Sequence, residues 1–291
     1  MDELQADLVQ AIKAHVSTSP LNRLRDIDGA PMFDEPLVGF ADGDDPLFDL
    51  YKLVVAPEHL TPHEALMAAC PAGRSARAFS QVGVVSWVLP ITAETRRSNR
   101  QMAEGPSLRW NHTRFQGEEF NDSLRRHVVG LLAERGWTAV APALSATFRR
   151  TSGAYGMASV WSERHVAYAA GLGTFGLSDG LITARGIAHR CGSVVVSAVW
   201  PASPRPLGSD HRHYCPYVHD GSCGACIDRC PAGAIGPGGH DKELCRRYIH
   251  DTLAEWRKRP GYGGEYLACG LCQTGVPCES GIPAGRGVAE G

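Results

Sequence analysis

Cysteines dominate the residues of this 291-residue chain that could do chemistry, and eight of the ten lie after residue 214. Cys223, Cys226 and Cys230-Pro231 follow the spacing C-x2-C-x3-C-P, which ends the cluster-binding run of bacterial ferredoxins. Cys269 and Cys272 repeat the C-x2-C unit farther along the chain. Eight thiolates make two sets of four, so the pattern predicts two [4Fe–4S] clusters. The candidate ligands are Cys215, Cys223, Cys226, Cys230, Cys245, Cys269, Cys272 and Cys278.

Structural zinc is one alternative interpretation, because two C-x2-C units can form a four-cysteine zinc site. A single zinc ion leaves four cysteines without a role and does not account for the C-x3-C-P spacing. One cluster with additional free thiols is a further alternative. Cys70 and Cys191 lie alone among apolar residues and are expected to be small buried side chains.

The elements that position the cysteines must come mostly from the rest of the chain. Residues 1–205 are poor in cysteine and are predicted to form one α/β domain, and residues 206–291 are predicted to form a second, cysteine-rich domain. Helices alternate with strands in the first domain, and several connections are long and rich in glycine. This pattern favours an α/β or α+β sandwich in which loops line a ligand crevice.

Several segments of the first domain have a residue pattern that predicts a helix or a strand. Thr61-Pro62-His63-Glu64 reads as a capping box that begins a helix. A second helix is predicted from Glu118 until Gly136 ends it. Val82 to Val88 has the composition of a buried strand. Leu181 to Thr183 and Ser193 to Trp200 are predicted to be the two strands of a hairpin.

Composition and charge exclude some classes of function. The chain has 29 Lys and Arg against 31 Asp and Glu, and this net charge of −2 argues against a dedicated nucleic-acid or membrane-surface binder. No apolar run has the length of about 18–20 residues that crosses a bilayer, and the N-terminus has no secretory-signal pattern. We therefore expect a cytoplasmic protein without a membrane partner, whose cysteines bind metal rather than form disulfides.

A glycine-rich motif follows a predicted helix, Ser162 to Ala170. Gly171, Gly173 and Gly176 match the dinucleotide-binding spacing G-x-G-x-x-G, but that fingerprint requires a strand before it and a helix after it. The better interpretation is a glycine-rich turn that packs tightly after the helix. A backbone loop that approaches a bulky cofactor is a third interpretation, because glycine has no Cβ atom.

Residues 105–280 resemble the epoxyqueuosine reductases, which are cobalamin-dependent iron–sulfur reductases related to reductive dehalogenases. The resemblance rests on Glu163-Arg164, the glycine motif that ends at Gly176, the Leu-Ile-Thr segment and the cysteine pattern. It implies a nitroreductase-like α/β sandwich that holds a corrinoid, followed by a two-cluster ferredoxin-like domain. It also implies the ligand sets: one cluster is held by Cys230, Cys245, Cys269 and Cys272, and the other by Cys215, Cys223, Cys226 and Cys278.

The chain departs from the family pattern at several positions. The second cysteine group has Val276-Pro277 where the family has Cys-Pro, so Cys278 is expected to substitute as a ligand. Leu177 replaces a lysine that follows the glycine motif, and a cationic contact is lost. The helical-repeat domain that helps epoxyqueuosine reductases hold tRNA is not present in this chain. A tRNA substrate is therefore not expected, and a small-molecule substrate is.

The resemblance also suggests catalytic residues. Glu119 aligns near the aspartate proton donor of the family, although an exposed glutamate in a helix is its simpler interpretation. His165 and Tyr155 are further candidates, and for His165 a structural hydrogen bond is the more ordinary role. Arg164 could contact an anionic group of the cofactor or form an ordinary ion pair. Gly171, Gly173 and Gly176 are the candidate cofactor-binding glycines.

Three functions stay open at this point. In the first, the chain is an enzyme in which a low-potential donor reduces two clusters, the clusters reduce a bound corrinoid, and the corrinoid reduces a small molecule. In the second, it is an electron-transfer protein or reductive activator of a separate corrinoid protein. In the third, the large domain binds flavin in place of the corrinoid. The sequence does not determine the substrate or the oligomeric state.

Overall fold

A computed structural model of the chain describes residues 3–69, 79–205, 210–264 and 267–285. The α-helices are α1 (Glu3–Thr18), α2 (Leu47–Val54), α3 (Pro62–Ala68), α4 (Ala93–Arg100), α5 (Leu108–Glu134), α6 (Glu163–Ala169), α7 (Pro216–Asp220), α8 (Ala225–Asp228) and α9 (Lys242–Arg247). The strands are β1 (Leu37–Asp42), β2 (Gly83–Pro90), β3 (Ala139–Val140), β4 (Arg150–Gly153), β5 (Gly156–Ser159), β6 (Gly173–Phe175), β7 (Leu181–Thr183), β8 (His189–Val196), β9 (Ile235–Gly236) and β10 (Gly239–His240).

The main sheet has four antiparallel strands in the order β1-β2-β8-β3. Its two central strands are buried on both faces, which is why β2 reads as a nearly continuous apolar run. Along β2, Val85 and Trp87 pack on one side with residues of α1 and α5. Val84 packs on the other side with residues of α2, α3 and α6. The sheet is thus the middle layer between two layers of helices, a mixed α/β sandwich as predicted.

Several local predictions are confirmed. Thr61 caps α3 and forms the predicted capping box with Glu64, and Pro62 is the first helical residue. The predicted long helix is α5, and it ends just before Gly136, whose φ of +84° lies in the left-handed region that favours glycine. Helix α5 begins earlier than predicted, at Leu108, where the Ser107 side chain accepts a hydrogen bond from the Trp110 amide.

The predicted hairpin between Leu181 to Thr183 and Ser193 to Trp200 is wrong. Strand β7 pairs with β6, and β8 pairs with β2 and β3 in the main sheet. Strand β8 has eight residues and ends in the buried run Val194–Val196, which suits a central strand, whereas β7 has only three residues. The β6–β7 ribbon instead packs against the cysteine-rich residues through Leu177, Ile182 and Ile187.

The cysteine-rich residues from 210 to 285, called the cysteine module from here on, have little regular structure. Their α-helices are four to six residues long, and the segment from Lys242 to Lys258 is a short α-helix followed by a π-helical turn and a 3-10 segment. One core cluster of the module joins it to the β6–β7 ribbon, and a second surrounds Leu253, Trp256 and Leu267. Among the described residues, no helix is long and apolar enough to cross a membrane.

Candidate iron–sulfur and cofactor site

Four of the predicted ligands line one cavity beside the β6–β7 ribbon. The cavity is lined by Cys215, Cys223, Cys226 and Cys278, and Gly176 borders it from the ribbon. Its atom-free space is about 370 Å³, counting the part open to solvent. Burial and the neighbouring Cys215 and Cys223 thiols raise the pKa of Cys226 to about 11. Burial and the other three thiols raise the pKa of Cys278 to about 12. These four sulfur atoms therefore form one interacting group.

The other four predicted ligands form a second group next to the first. Burial and the Cys269 and Cys230 thiols raise the pKa of Cys245 to about 11. Burial and the Cys269, Cys245 and Cys230 thiols raise the pKa of Cys272 well above its usual value. The Cys226 thiol of the first group also contributes at Cys272. The two groups are therefore neighbours, as electron transfer between two clusters requires.

Cysteines of both groups lie at the short helix α8. Cys226 on α8 belongs to the first group and Cys230, just beyond its end, belongs to the second. The grouping is the same as the one that the resemblance implies, and it includes Cys278 in spite of its shifted position. The role of these cysteines as ligands remains a prediction.

The donor set of each group fits an iron–sulfur cluster. All eight candidate donors are sulfur, and the backbone amide of Ala234 donates a hydrogen bond to Cys230 Sγ at 3.3 Å, the kind of contact that tunes clusters. No group of three or more His, Cys, Asp or Glu side chains suited to a metal ion occurs in the described parts of the chain. A four-iron cluster requires a wider arrangement than a single ion, because each thiolate binds a different iron.

Buried contacts with the sandwich hold the second group in place. Asn99 on α4 donates hydrogen bonds to the Cys269 carbonyl and to Thr274 Oγ1, both at 3.1 Å. Gly270 lies at φ +63° with the Trp110 ring where a Cβ atom would be, so this C-x2-C turn accepts only glycine. Arg100 forms a bidentate ion pair with the buried carboxylate of Glu279.

Helix α6 carries two of the predicted residues, Arg164, which is exposed, and His165, which is partly buried. Arg164 donates a hydrogen bond to the Asp179 carbonyl. His165 Nδ1 lies 2.7 Å from Ser162 Oγ, and burial, with the charge of Arg164, lowers the pKa of the imidazole to about 3. The imidazole is therefore neutral at pH 7 and has no imidazolium proton to release. Its hydrogen bond is the structural contact that was the simpler alternative.

Glu119 and Tyr155 occupy exposed positions, which differ from the buried position that the proton-donor prediction requires. Glu119 points outward from α5 and forms an ion pair with Arg25. Tyr155 lies at the tip of the β4–β5 hairpin and is 72% exposed. Both roles remain predictions without support from burial or from neighbouring groups.

The glycine motif is packed against the chain itself. A Cβ atom at Gly171 would lie 2.5 Å from the Pro204 carbonyl oxygen, and one at Gly173 would collide with the Ile182 carbonyl. These glycines therefore allow close approach of the backbone to the backbone, which agrees with the tight-turn interpretation. Gly176 differs, because it lines the first cysteine cavity.

Sequence reasoning missed a polar network on the inward face of α5. Arg125 is almost fully buried and forms ion pairs with Glu118 at 2.9 Å, Asp122 at 2.7 Å and Glu163 at 3.1 Å. The charges of Arg190 and Arg125 lower the pKa of Glu118 in spite of its burial, whereas burial raises the pKa of Glu163. Spacings of four and seven residues between Arg114, Glu118 and Arg125 were the available signal, because they place all three on one helical face.

Cys191 was expected to be a simple buried residue, but it is half-buried and has a polar partner. Its Sγ lies 3.5 Å from His189 Nδ1, and His189 Nε2 donates a hydrogen bond to the Leu181 carbonyl at 2.7 Å. Burial raises the pKa of Cys191 to about 12 and lowers that of His189 to about 4, so both groups are neutral at pH 7. Cys70 lies outside the described residues.

A larger cavity lies away from the cysteines. It has about 1090 Å³ of atom-free space, counted as for the first cavity, and it lies between α1 and residues 19–35. Lys13, Asn22 and Glu35 are among its lining residues, and none of the residues predicted for the site lines it. Its size alone does not make it the site, because the eight candidate thiol ligands lie elsewhere.

Comparison with known proteins identifies the fold. No protein-family model and no curated protein matches the chain. Among solved structures, a selenomethionine-labelled epoxyqueuosine reductase is 17% identical with a TM-score of 0.50, covering 98% of this chain and 68% of that one. The epoxyqueuosine reductase from Streptococcus thermophilus is 16% identical with a TM-score of 0.51, covering 96% of this chain and 66% of that one.

Reductive dehalogenases are also structural neighbours. The catabolic reductive dehalogenase NpRdhA is 15% identical with a TM-score of 0.45, and 85% of this chain covers 30% of that one. The chain thus spans about two thirds of the epoxyqueuosine reductases and less than a third of this dehalogenase. The structural neighbours of this chain are epoxyqueuosine reductases and reductive dehalogenases, and its mixed α/β fold is the one that epoxyqueuosine reductases adopt.

Proposed function

We propose that the chain is an iron–sulfur reductase that binds two [4Fe–4S] clusters and uses them to reduce a corrinoid held against the sandwich, which in turn reduces a small molecule. The observation that carries the proposal is the sorting of eight cysteines into two adjoining groups of four beside the sheet. Thiolate-bound clusters reach the low potentials that corrinoid reduction requires. The fold shared with epoxyqueuosine reductases supports the same function.

The residues of the chain have defined tasks in this proposal. Cys215, Cys223, Cys226 and Cys278 would hold one cluster, and the other four cysteines of the module would hold the second. The corrinoid would supply a strongly reducing cobalt centre. A proton donor must be held in its protonated form, and burial raises the pKa of the Glu163 carboxyl, the direction that this role requires. Ser193 Oγ, which donates to Glu163 Oε2 at 2.5 Å, would orient that carboxyl.

A second function is favoured by the packing of the glycine motif. The chain's own carbonyl groups occupy the space beside the Cα atoms of Gly171 and Gly173. The motif therefore leaves no space for a cofactor at these positions. An electron-transfer protein or reductive activator needs the clusters but no corrinoid of its own. In that case a separate corrinoid protein would receive the electrons.

Anaerobic reconstitution separates the two functions. The protein is loaded with iron and sulfide, mixed with cob(II)alamin, and examined for iron content, visible absorption and electron paramagnetic resonance. About eight irons per chain with a base-off Co(II) signal support the reductase. About eight irons with an unperturbed cobalamin signal refute corrinoid binding and favour the electron-transfer protein.

Two additions to the experiment address the remaining alternatives. Titration with flavin mononucleotide tests whether the sandwich binds flavin, and a bound, quenched flavin would contradict the corrinoid proposal. A structural neighbour is an epoxyqueuosine reductase in complex with a tRNA stem loop, so tRNA remains an alternative substrate. Turnover or tight binding of a modified tRNA stem loop would refute the small-molecule assignment.

A further inference from the structure

Arginine side chains gather where β8 lies beside α5. Arg190 on β8 donates a hydrogen bond from Nη2 to the carbonyl oxygen of Arg114 on α5, at 2.9 Å. The two guanidinium groups face one carboxylate, Glu118: Arg190 Nη1 lies 3.5 Å from Glu118 Oε2, and Arg114 Nη1 lies 4.0 Å from it. Arg150, at the start of β4, adds a third positive charge close to Arg114.

The negative charge in this region is already committed elsewhere. Glu118 Oε1 accepts a hydrogen bond from Arg125 at 2.9 Å, so one oxygen of one carboxylate faces two arginines at loose ion-pair distances. Asp122 and Glu163 both pair with Arg125 rather than with Arg114 or Arg190. Among the described residues, Glu118 is therefore the carboxylate that lies within ion-pair distance of Arg114 and Arg190, and it is shared with Arg125.

Solvent reaches these two arginines although protein surrounds most of each. The exposed fraction is 27% for the Arg114 side chain and 22% for that of Arg190. Burial and the charge of Arg114 lower the pKa of Arg190 to about 10, and burial and the charge of Arg150 lower the pKa of Arg114. Gathering like charges at half-buried positions costs free energy, and a bound anion would offset that cost.

A purely structural network is the competing explanation. Arg125 fits this explanation, because it pairs with Glu118 and Asp122 on its own helix and, at 3.1 Å, with Glu163 of α6. Arg114 and Arg190 pair with Glu118 more loosely, at 4.0 and 3.5 Å, although Arg190 also donates a hydrogen bond to the Arg114 carbonyl. Guanidinium groups bind planar carboxylate and phosphate groups through parallel hydrogen bonds, so two arginines that share one carboxylate at these distances suit such an anion.

We propose that Arg114 and Arg190 form a binding site for the carboxylate or phosphate group of a small organic anion, with Glu118 limiting the site to one such group. As a statement about the substrate it rests on the proposed function, since the anion would be what the reductase reduces. Arg125 connects the site to Glu163, the carboxyl assigned above as proton donor, so the anionic group would hold the substrate next to that carboxyl.

Calorimetric titration of the cluster-loaded protein with benzoate and with inorganic phosphate tests the site. We expect binding of at least one of the two probes that weakens about tenfold or more in Arg190→Ala and in Arg114→Ala, because a charge-assisted hydrogen bond contributes roughly 1.5–3 kcal/mol. Glu118→Gln should strengthen binding, because it removes the negative charge that competes with the anion. Arg126→Ala, an exposed arginine on the same helix, is the matched control and should leave binding unchanged.

Further variants keep the test decisive if an alanine variant misfolds. Arg190→Lys keeps the positive charge but loses the planar guanidinium group that forms two parallel hydrogen bonds. This variant should therefore bind the probe with intermediate affinity. Absence of binding at millimolar concentrations of both probes, or equal affinity of wild type, Arg190→Ala and Arg190→Lys, would overturn the site. Weakening by Glu118→Gln would also overturn it, because the carboxylate would then contribute to binding.

The cofactor itself is a second possible source of the anion, since cobalamin carries a phosphate in its nucleotide loop and cobinamide does not. If Arg190→Ala weakens cobalamin binding and leaves cobinamide binding unchanged, the site holds the cofactor phosphate, and the substrate assignment is overturned. Equal effects on both corrinoids, with loss of benzoate binding, support the substrate assignment. Benzoate binding without any corrinoid binding would refute the proposed function and leave the anion site standing.

Discussion

The sandwich and the cysteine module are held together by different interactions. In the sandwich, a sheet buries both faces against helices, of which α1 and α5 have 16 and 27 residues, and residues such as Trp87, Phe120 and Leu124 have no exposed surface. In the module, the α-helices are four to six residues long, and cysteines make up much of the core next to Tyr214 and Ile235. Helices this short are marginal without tertiary support. The sandwich can therefore fold by apolar burial, whereas we expect the module to depend on the clusters proposed for its thiols.

Loss of the clusters should have the largest effect, and it should be confined to the module. Chelation of iron from the reconstituted protein should remove the protection of module amides in hydrogen exchange, because metal binding supplies the folding free energy of such domains. Amides of β2 and β8 should stay protected. Equal loss of protection in both regions would show that the two regions fold as one unit.

A single cysteine variant tests whether the first group of cysteines holds a cluster of its own. Cys226→Ser should lower the iron content by about four atoms per chain, because a [4Fe–4S] cluster takes four thiolates. Cys191→Ser is the matched control, because Cys191 belongs to neither group, and it should retain the full iron content. A full iron content in Cys226→Ser would contradict the assignment of the first group.

A core substitution in the sandwich should have a smaller effect. It should lower the stability of the sandwich and leave the iron content of the module unchanged. Leu124→Ala removes a fully buried side chain from α5 and should lower the free energy of unfolding by about 2–5 kcal/mol, through lost burial and the cavity that remains. Denaturant unfolding followed by tryptophan fluorescence measures this loss. The iron content at low temperature should be unchanged, and a loss of iron in the folded variant would show that the core also shapes the cluster sites.

The hydrogen bonds between the sandwich and the cysteine module should contribute less to the free energy of unfolding than the buried core does. Asn99→Ala removes the hydrogen bonds to the Cys269 carbonyl and Thr274 Oγ1, and it leaves the Ser107 amide without its side-chain acceptor. We expect a loss of about 1–3 kcal/mol, since buried partners are left unpaired. The rate of iron release to a chelator should rise. Arg97→Ala, exposed on the same helix, is the control and should release iron at the wild-type rate.

Mild acid should lower the stability of the sandwich, and this is the smallest of the expected effects. Burial lowers the pKa of His59 to about 4, below the unfolded value of about 6.5. The unfolded chain therefore binds the extra proton first, and stability that is present above pH 6.5 is lost as the pH falls toward 4. At pH 5.5 this histidine should account for about 1 kcal/mol. Thermal midpoints of wild type and His59→Gln at pH 7.5 and 5.5 measure it, and identical shifts in both proteins would exclude His59 as a cause.

Patterns that act over a few residues could be interpreted from the sequence alone. The capping box at Thr61, the end of α5 at Gly136 and the cysteine spacing from Cys223 to Cys230 are all local, because neighbouring backbone and side-chain groups decide them. The same holds for the buried run of β2. These features determined the mixed α/β class and the kind of metal chemistry that the chain is predicted to support.

Only the tertiary structure decided which distant residues meet. Strand β8 pairs with β2 rather than with β7, because register and burial over the whole sheet outweigh closeness along the chain. Successive residues of α5 point about 100° apart, so Glu119 faces solvent and Glu118 faces inward. The meeting of Arg114 with Arg190 depends on both choices, since a site assembled from a helix and a strand exists only after the two have packed together.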